Sequence, residues 1–500
     1  MEYGTDGVGP AAAMSCWDGL RARLRFGRPA RGGLVTLAAG FLLHLSLGCG
    51  YSYGNFTTYL TSYLAVRRRL PVDFGATLWV DAAMTAAEGP GVFLGSICYR
   101  RLGPRLTLLA GGVLSSGALA LMYVVVDTSL AWVIVVFGVV NGLGVGLAYS
   151  PPLLAGFKWF PHHRGLISGL VVTGFRLGGI MFTTIQTSFL NPDNVLPDPD
   201  DGFFYDDALL DRVPCLFLVE AGVSVVFQLI GVLGVHDPPA EHDRLTPEPG
   251  FGRAPSDTSD TSATAASEGA DRQEDRNKTP ASRSPSVDSA EQTTSWKKSL
   301  LTLPALQLTV GFAMCILTLS IFNPLWKAFG QTFIRDDHFM ELVGSGSLVL
   351  GLIGRLVWGV LCDMFSYKPI MLMMTGLICF FTFTLPACTE GSQVMFLFWV
   401  WSIYFCYAGV FSVVVTGTAD WLGTDVAGHV YGVIFMTGTL LSLLAPPLAD
   451  AVLDSRGYPS VFLVSGGFAA VAFVAALTFR HIDRTDVDYH RMQPDLPVKL

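Results

Sequence analysis

Apolar residues fall along this chain in long runs separated by short polar turns. A bilayer span takes roughly 20 mostly apolar residues. Read with that window, the pattern predicts twelve helical spans. Six lie at about 34–63, 76–98, 105–126, 130–156, 165–190 and 213–235. Six more lie at about 301–327, 341–363, 369–388, 393–418, 428–452 and 459–479. Glycine and proline recur inside them, as in "GVVNGLGVGLAYSPPLLAGF" and "LLAPPLAD", which suits membrane helices that bend and pack closely.

One long polar stretch interrupts the pattern between the sixth and seventh runs. It includes "LTPEPGFGRAPSDTSDTSATAASEGADRQEDRNKTPASRSPSVDSAEQTTS". Too little apolar surface is available there to offset chain entropy, so it reads as a disordered tether. "NKTP" and "RSPS" are candidate phosphorylation sites within it. The expected fold class is an all-α membrane protein, twelve transmembrane helices in two pseudo-symmetric six-helix bundles. Its expected parts are a cytoplasmic tail 1–33, a bundle 34–236, a cytoplasmic linker 237–299, a bundle 300–480 and a cytoplasmic tail 481–500.

Composition agrees with that class. Of 500 residues, 14% are charged and 51% hydrophobic, whereas soluble domains are about 25% charged. The net charge of −8 reflects acids gathered in two loops. No basic domain or zinc-type cysteine spacing points to nucleic acid. The nine cysteines are scattered, mostly in apolar runs, and read as small packing residues. No cofactor or metal is expected.

Charge also orients the chain. Arg21, Arg23, Arg25, Arg28 and Arg31 precede the first run, which is too long for a cleaved leader, and predict a cytoplasmic start. Arg100, Arg101 and Arg105, with Lys158 and Arg164, fall on the same side. The acidic loop "NPDNVLPDPDDGFFYDDALLD" falls outside. Arg67, Arg68 and Arg69 also fall outside, against the rule. Plasma membrane is the favoured location, with an organelle membrane as the alternative.

A faint repeat links the halves. Aligning Arg100 of "GSICYRRLGPRLTLLAGG" with Asp363 of "GVLCDMFSYKPIMLMMTG" superposes Ser96 on Gly359, Gly103 on Ser366 and Arg105 on Lys368. "YSPPLLAGFKWFPHHRGLISGLVVTGFRLGG" resembles the fourth-to-fifth span stretch of the oxalate–formate antiporter and monocarboxylate transporter branch of the major facilitator superfamily. "RRLGPR" resembles that superfamily's loop signature, and "GLIGRLVWGVLCD" the eighth helix of the branch. The signature's usual acid falls on Arg100 here, while the second half keeps Asp363. The resemblance implies a conformational role for Arg100, Arg101, Gly103, Arg105, Asp363 and Lys368. It implies a carrier and no enzyme.

The same resemblance implies that Arg355 binds a substrate carboxylate. Its depth is compatible, because eight residues from Asp363 at 1.5 Å each is about 12 Å, near the middle of a roughly 30 Å core. Arg176, eleven residues past Gly165, sits at about 16 Å by the same rise. In the fold implied, the fifth and eighth helices face each other, so the two arginines could share one anion. Alternatively Arg176 pairs with Glu88 or Glu220, or clamps a carbonyl. Asp81 and Glu88 are seven apart and so share a face of the second helix. They are candidates for proton coupling or fixed ion pairs. The branch's other charges are missing: an acid falls on Gly351, and lysines fall on Asn55 and Gly438.

Cleft candidates from the first, fourth, seventh and tenth helices are Tyr51, Tyr53, Asn55, Asn141, Tyr149, Asn323, Trp326, Tyr404 and Tyr407. His44 reads as a packing residue, with a proton relay as the alternative. The function implied is secondary transport of a small organic anion, monocarboxylate-like or dicarboxylate, by alternating access. H+ is the candidate coupling ion, and the protein is expected to act as a monomer in the lipid bilayer. The alternatives are an amino-acid or other zwitterion carrier, with Glu88 or Asp81 holding the amine, and a non-transporting receptor or scaffold.

Overall fold

In the computed structural model, the residues described are 31–193, 195, 197–198, 203–239, 296–334 and 336–479. The predicted tails apart from residues 31–33, and all of the linker but its ends, lie outside them. The described chain is helical. Ten apolar helical stretches are long enough to cross a membrane, and two exceed 50 residues. Each of those two breaks at a glycine with positive φ, Gly103 (φ 78°) and Gly457 (φ 75°). Twelve spans result.

The first six are α1 (Arg31–Arg67), α2 (74–102), α3 (104–125), α4 (Leu130–Trp159), α5 (Arg164–Leu190) and α6 (Asp207–Gly234). The second six are α7 (Leu303–Gln331), α8 (Asp337–Phe365), α9 (Tyr367–Thr384), α10 (Gln393–Leu422), α11 (424–456) and α12 (458–478). Several helices start where a short acid or hydroxyl caps the free N–H groups. Asp73 accepts from Ala76, Asp206 from Leu209, Asp336 from Phe339 and Ser392 from Met395.

The two turns aligned by the internal repeat have one geometry. Gly103 (φ 78°, ψ 174°) and Ser366 (φ 71°, ψ 171°) adopt the same backbone conformation. Ser366 does so despite its Cβ, which costs about 1–3 kcal/mol. The end carrying these turns is the one that charge assigns to the cytoplasm, called here the inner end.

At the opposite, outer end two of the exceptional arginines are paired with acids. Arg67 pairs with Asp211 at 2.6 Å and Asp207 at 3.5 Å, and Arg68 with Asp127 at 3.7 Å. Acids of the same surface thus offset part of the charge that conflicts with the predicted orientation.

At the inner end the halves are closed on each other. Gly165 of α5 and Gly359 of α8 touch backbone to backbone, and a Cβ on either would overlap the other's carbonyl. Asp363 accepts the Gly165 N–H at 2.7 Å and the Leu166 N–H at 2.8 Å. Arg164 donates to the Ala419 carbonyl at 2.9 Å and to Asp420 at 3.2 Å. On the other flank α2 and α11 meet nearer the middle of the helices, Gly89 against Met436 and Thr439 and Gly432 against Phe93.

Candidate functional site

Above this closed end, α5 and α8 cross in a fixed register. Gly165 faces Gly359 and Gly169 faces Arg355, while Arg176 faces Gly351. Small residues at the crossing let the two backbones approach, and the two arginines then reach across it in opposite directions. Arg355, on α8 and 1% exposed, donates to the Val172 carbonyl of α5 at 2.5 Å. Arg176, on α5 and 8% exposed, lays its guanidinium against α8 at Gly351. A Cβ at Gly351 would stand 3.7 Å from that guanidinium. Gly351 and Arg355 are four apart and so lie on one face of α8.

The two guanidiniums are close enough to repel each other. Neither forms a salt bridge with Glu88 or Glu220, and both have an unpartnered Nε. Instead each lies over an aromatic ring. Arg355 is 5.4 Å from the Phe411 centroid, and Arg176 is 5.4 Å from that of Tyr51. Such contacts supply about 0.5–2 kcal/mol, less than the several kcal/mol that desolvating an ion costs.

Hydroxyls and an imidazole complete the centre. The Tyr407 hydroxyl and His44 Nε2 are buried without a partner, and the buried Tyr149 and Tyr431 hydroxyls face each other. His44 Nδ1 is held by the Gly40 carbonyl at 2.9 Å, and its ring packs on Tyr149 at 5.3 Å. Tyr149 and Tyr431 both feel Arg355 and Glu88. Phe312, Phe411 and Phe435 pack together beside them, with centroids 5.7–6.2 Å apart. Buried donors over an apolar wall suit a small anion with a short carbon body.

Toward the outer end the walls are open. Tyr51 is 48% exposed, and Asn323 on α7 is exposed too. The Tyr404 hydroxyl of α10 donates to Asn323 Oδ1, and Tyr404 also feels Arg176. Glu88 and Asp81 are half-buried on α2 and within each other's field, and Glu88 also feels Arg355.

The structure separates the remaining candidates from this centre. Asn55 donates to Gln186 at 3.2 Å and Thr187 at 3.3 Å. Gln186 in turn donates to Ser52 at 2.7 Å and Glu220 at 2.8 Å, so Asn55 begins a polar chain within the first six helices. The expectation that Tyr53 and Asn141 line the cleft is corrected. Tyr53 donates to the Thr77 carbonyl at 2.7 Å, and Asn141 accepts from Ser115 at 2.7 Å. Both fasten helices of the first half together. Trp326 packs on Phe396 in the core of the second half. Arg100, Arg101 and Arg105 are exposed at the inner end, Lys368 is partly buried there, and Arg105 donates to the Leu233 carbonyl at 3.4 Å.

Sequence reasoning missed Tyr431 and Phe411, which lie beside Arg355 only in the folded chain. It also missed Lys327, exposed on α7 one turn outward of Asn323 and on the same face.

A family model described as Major Facilitator Superfamily matches residues 45–305 and 308–499. Apicoplast pyruvate carrier 1 of Toxoplasma gondii is 27% identical over 92% of this chain and 91% of its own length. Apicoplast pyruvate carrier 2 of the same organism is 23% identical over 89% and 81%. Monocarboxylate transporter 3 of Rattus norvegicus is 34% identical, but over only 28% of each chain. Among solved structures, the proton:xylose symporter XylE superposes with a TM-score of 0.61 at 13% identity, covering 89% of this chain and 95% of that one. FucP superposes with a TM-score of 0.60 at 14% identity, covering 90% and 100%.

Proposed function

Because the chain belongs to the Major Facilitator Superfamily, we propose that it carries small organic anions, monocarboxylates first, across its membrane by alternating access. It is a multi-pass membrane transporter and not an enzyme. The observation that carries the substrate reading is the pair Arg176 and Arg355, buried, mutually repelling and without an acid. A carboxylate between them would cancel the repulsion and take the planar fork of a guanidinium. The relatives named for pyruvate and monocarboxylates support the same class.

In this reading the substrate enters from the outer end past Tyr51 and Asn323. Its carboxylate meets Arg355 and Arg176, and its carbon body lies on Phe411. Neutralising the pair lets the outer walls close. The inner contacts, of Asp363 with the start of α5 and of Arg164 with α10, then part. One chain supplies both halves of the site, so the proposal needs no second copy. An organelle membrane gains support from the name of the first relative, and imaging a tagged chain in its own cell decides it.

Liposomes holding the purified protein should take up labelled pyruvate, lactate, formate or oxalate. Arg355→Ala should abolish that uptake in folded protein; undiminished uptake of every accepted substrate refutes the role. A zwitterion is the second reading, favoured by Glu88 within the field of Arg355. Amino acids that compete better than simple acids would establish it.

A further inference from the structure

Tyr404, Tyr407 and Phe411 follow each other along α10 at helical spacing and so share one face of it. Their heights relative to the arginine pair are fixed by neighbouring contacts. Phe411 lies under Arg355, with 5.4 Å from guanidinium to ring centroid. One turn outward, Ala408, the neighbour of Tyr407, meets α8 at Gly351, where the Arg176 guanidinium also lies. Phe411 is thus level with Arg355, and Tyr407 is level with Arg176. The Tyr407 and Phe411 rings meet edge to face, with centroids 5.9 Å apart.

The two tyrosines of this face differ in what their hydroxyls do. Tyr404 donates its hydrogen to Asn323 Oδ1 on α7. Tyr407 is 1% exposed, and its hydroxyl makes no hydrogen bond with any described residue. It lies within the fields of Arg176, Arg355 and Tyr51. A buried O–H without an acceptor is destabilising. Neither guanidinium can relieve it, because arginine carries donors only. The group suited to this hydroxyl is an acceptor that arrives with the anion.

We propose that Tyr407 is a specificity-determining residue, whose hydroxyl donates to an oxygen on C2 of the transported acid. The inference deepens the monocarboxylate reading and rests on it. With the carboxylate between Arg176 and Arg355 and the carbon body on Phe411, the carbon next to the carboxylate lies beside the ring that Tyr407 edges. A carbonyl or hydroxyl oxygen there accepts the O–H. A methylene there offers no acceptor, so the acid that carries it forgoes the bond. The arginines read the carboxylate that all such acids share, and Tyr407 reads the atom beside it. The carrier therefore prefers 2-oxo and 2-hydroxy acids to unsubstituted acids of the same length.

The test is inhibition of labelled pyruvate uptake into liposomes by unlabelled pyruvate, lactate and propionate, at a pH where all three are anions. Wild type should be inhibited about 3- to 10-fold more strongly by pyruvate and lactate than by propionate, the worth of one neutral hydrogen bond. Tyr407→Phe keeps the ring and removes only the hydroxyl. In that variant pyruvate and lactate should weaken by the same factor and propionate should inhibit as before. The unchanged propionate value then shows that the variant is folded with its arginine pair intact. If the variant transports too slowly for inhibition to be read, the thermal shift that each acid produces in detergent gives the same comparison. Equal weakening of all three acids would place the hydroxyl on the carboxylate and overturn the proposal, as would a preference that the substitution leaves unchanged. Wild type that accepts none of the three refutes the proposed function and this inference together. Wild-type uptake with no change of preference in Tyr407→Phe refutes this inference alone.

Discussion

Asp363→Asn tests whether the inner fastening governs the conformational equilibrium. Asp363 accepts two N–H groups at the start of α5, at 2.7 and 2.8 Å. Asparagine keeps one acceptor oxygen and turns its amide NH2 toward the other donor, so one charge-assisted bond is lost, about 1.5–3 kcal/mol. The negative charge at the helix start is lost too, roughly 0.3–2 kcal/mol. The sum is about 2–4 kcal/mol, given the overlap between these effects. With the inner end open, both groups face water, so the loss falls on the closed form. At 1.4 kcal/mol per decade the equilibrium shifts about 30- to 700-fold toward the inner-open form. Spin labels on His162→Cys and Phe365→Cys, exposed positions on opposite halves, report the change once reactive native cysteines are replaced. The distance distribution should move to longer separations. An unchanged distribution in folded Asp363→Asn protein would refute the fastening role.

Other perturbations act on the same geometry. Gly165→Ala drives a Cβ into the Gly359 carbonyl; overpacking costs about 1–3 kcal/mol, and the same labels should separate. Gly351→Asp places a carboxylate against the Arg176 guanidinium, which lies beside that position. Pairing there should remove the second cation from the site, so inhibition of pyruvate uptake by oxalate weakens while pyruvate uptake persists; unchanged oxalate inhibition counts against Arg176 as an anion contact.

The fold was legible because a bilayer span is a matter of length and polarity, and both are plain in the runs. The breaks at Gly103 and Gly457 were equally plain, since a short basic or small-residue turn separates the runs there. Arg176 and Arg355 stood out because a cation in an apolar run is costly and therefore rare. Facing was harder. Helices apolar all round carry no amphipathic stripe from which to read a buried side. Irregular turns add to this. Asn141 follows the wide π-helical turn Ile134–Val140, and Tyr53 follows the tight 3₁₀ turn Gly48–Ser52. Such turns break the 3.6-residue period from which a face is read along a helix. Tyr431 and Phe411 were hidden for the opposite reason: only the three-dimensional meeting of α10 and α11 brings them beside Arg355.

The structure also sets Glu88, a proton-coupling candidate with Asp81, apart from the buried Glu220. Glu220 is 1% exposed and held by Gln186 at 2.8 Å inside the first half. Its hydrogen-bond partners, the Gln186 amide and the Cys49 thiol, are neutral, and the chain from Gln186 runs through Ser52 and Asn55. Glu88 is half-buried on the cleft side of α2 and lies within the field of Arg355. A proton on Glu88 removes a negative charge that would otherwise compete with the substrate carboxylate for that arginine. A proton on Glu220 leaves the arginine pair unchanged. If uptake rises when the outside is acidified, Glu88→Gln should flatten that dependence, because the variant mimics the protonated acid at every pH. Glu220→Gln should keep the dependence, with any loss confined to stability. Both are measured by pyruvate uptake into liposomes across a series of outer pH values. A flat profile in Glu220→Gln with a preserved one in Glu88→Gln would reverse the assignment and move proton coupling into the interior of the first half.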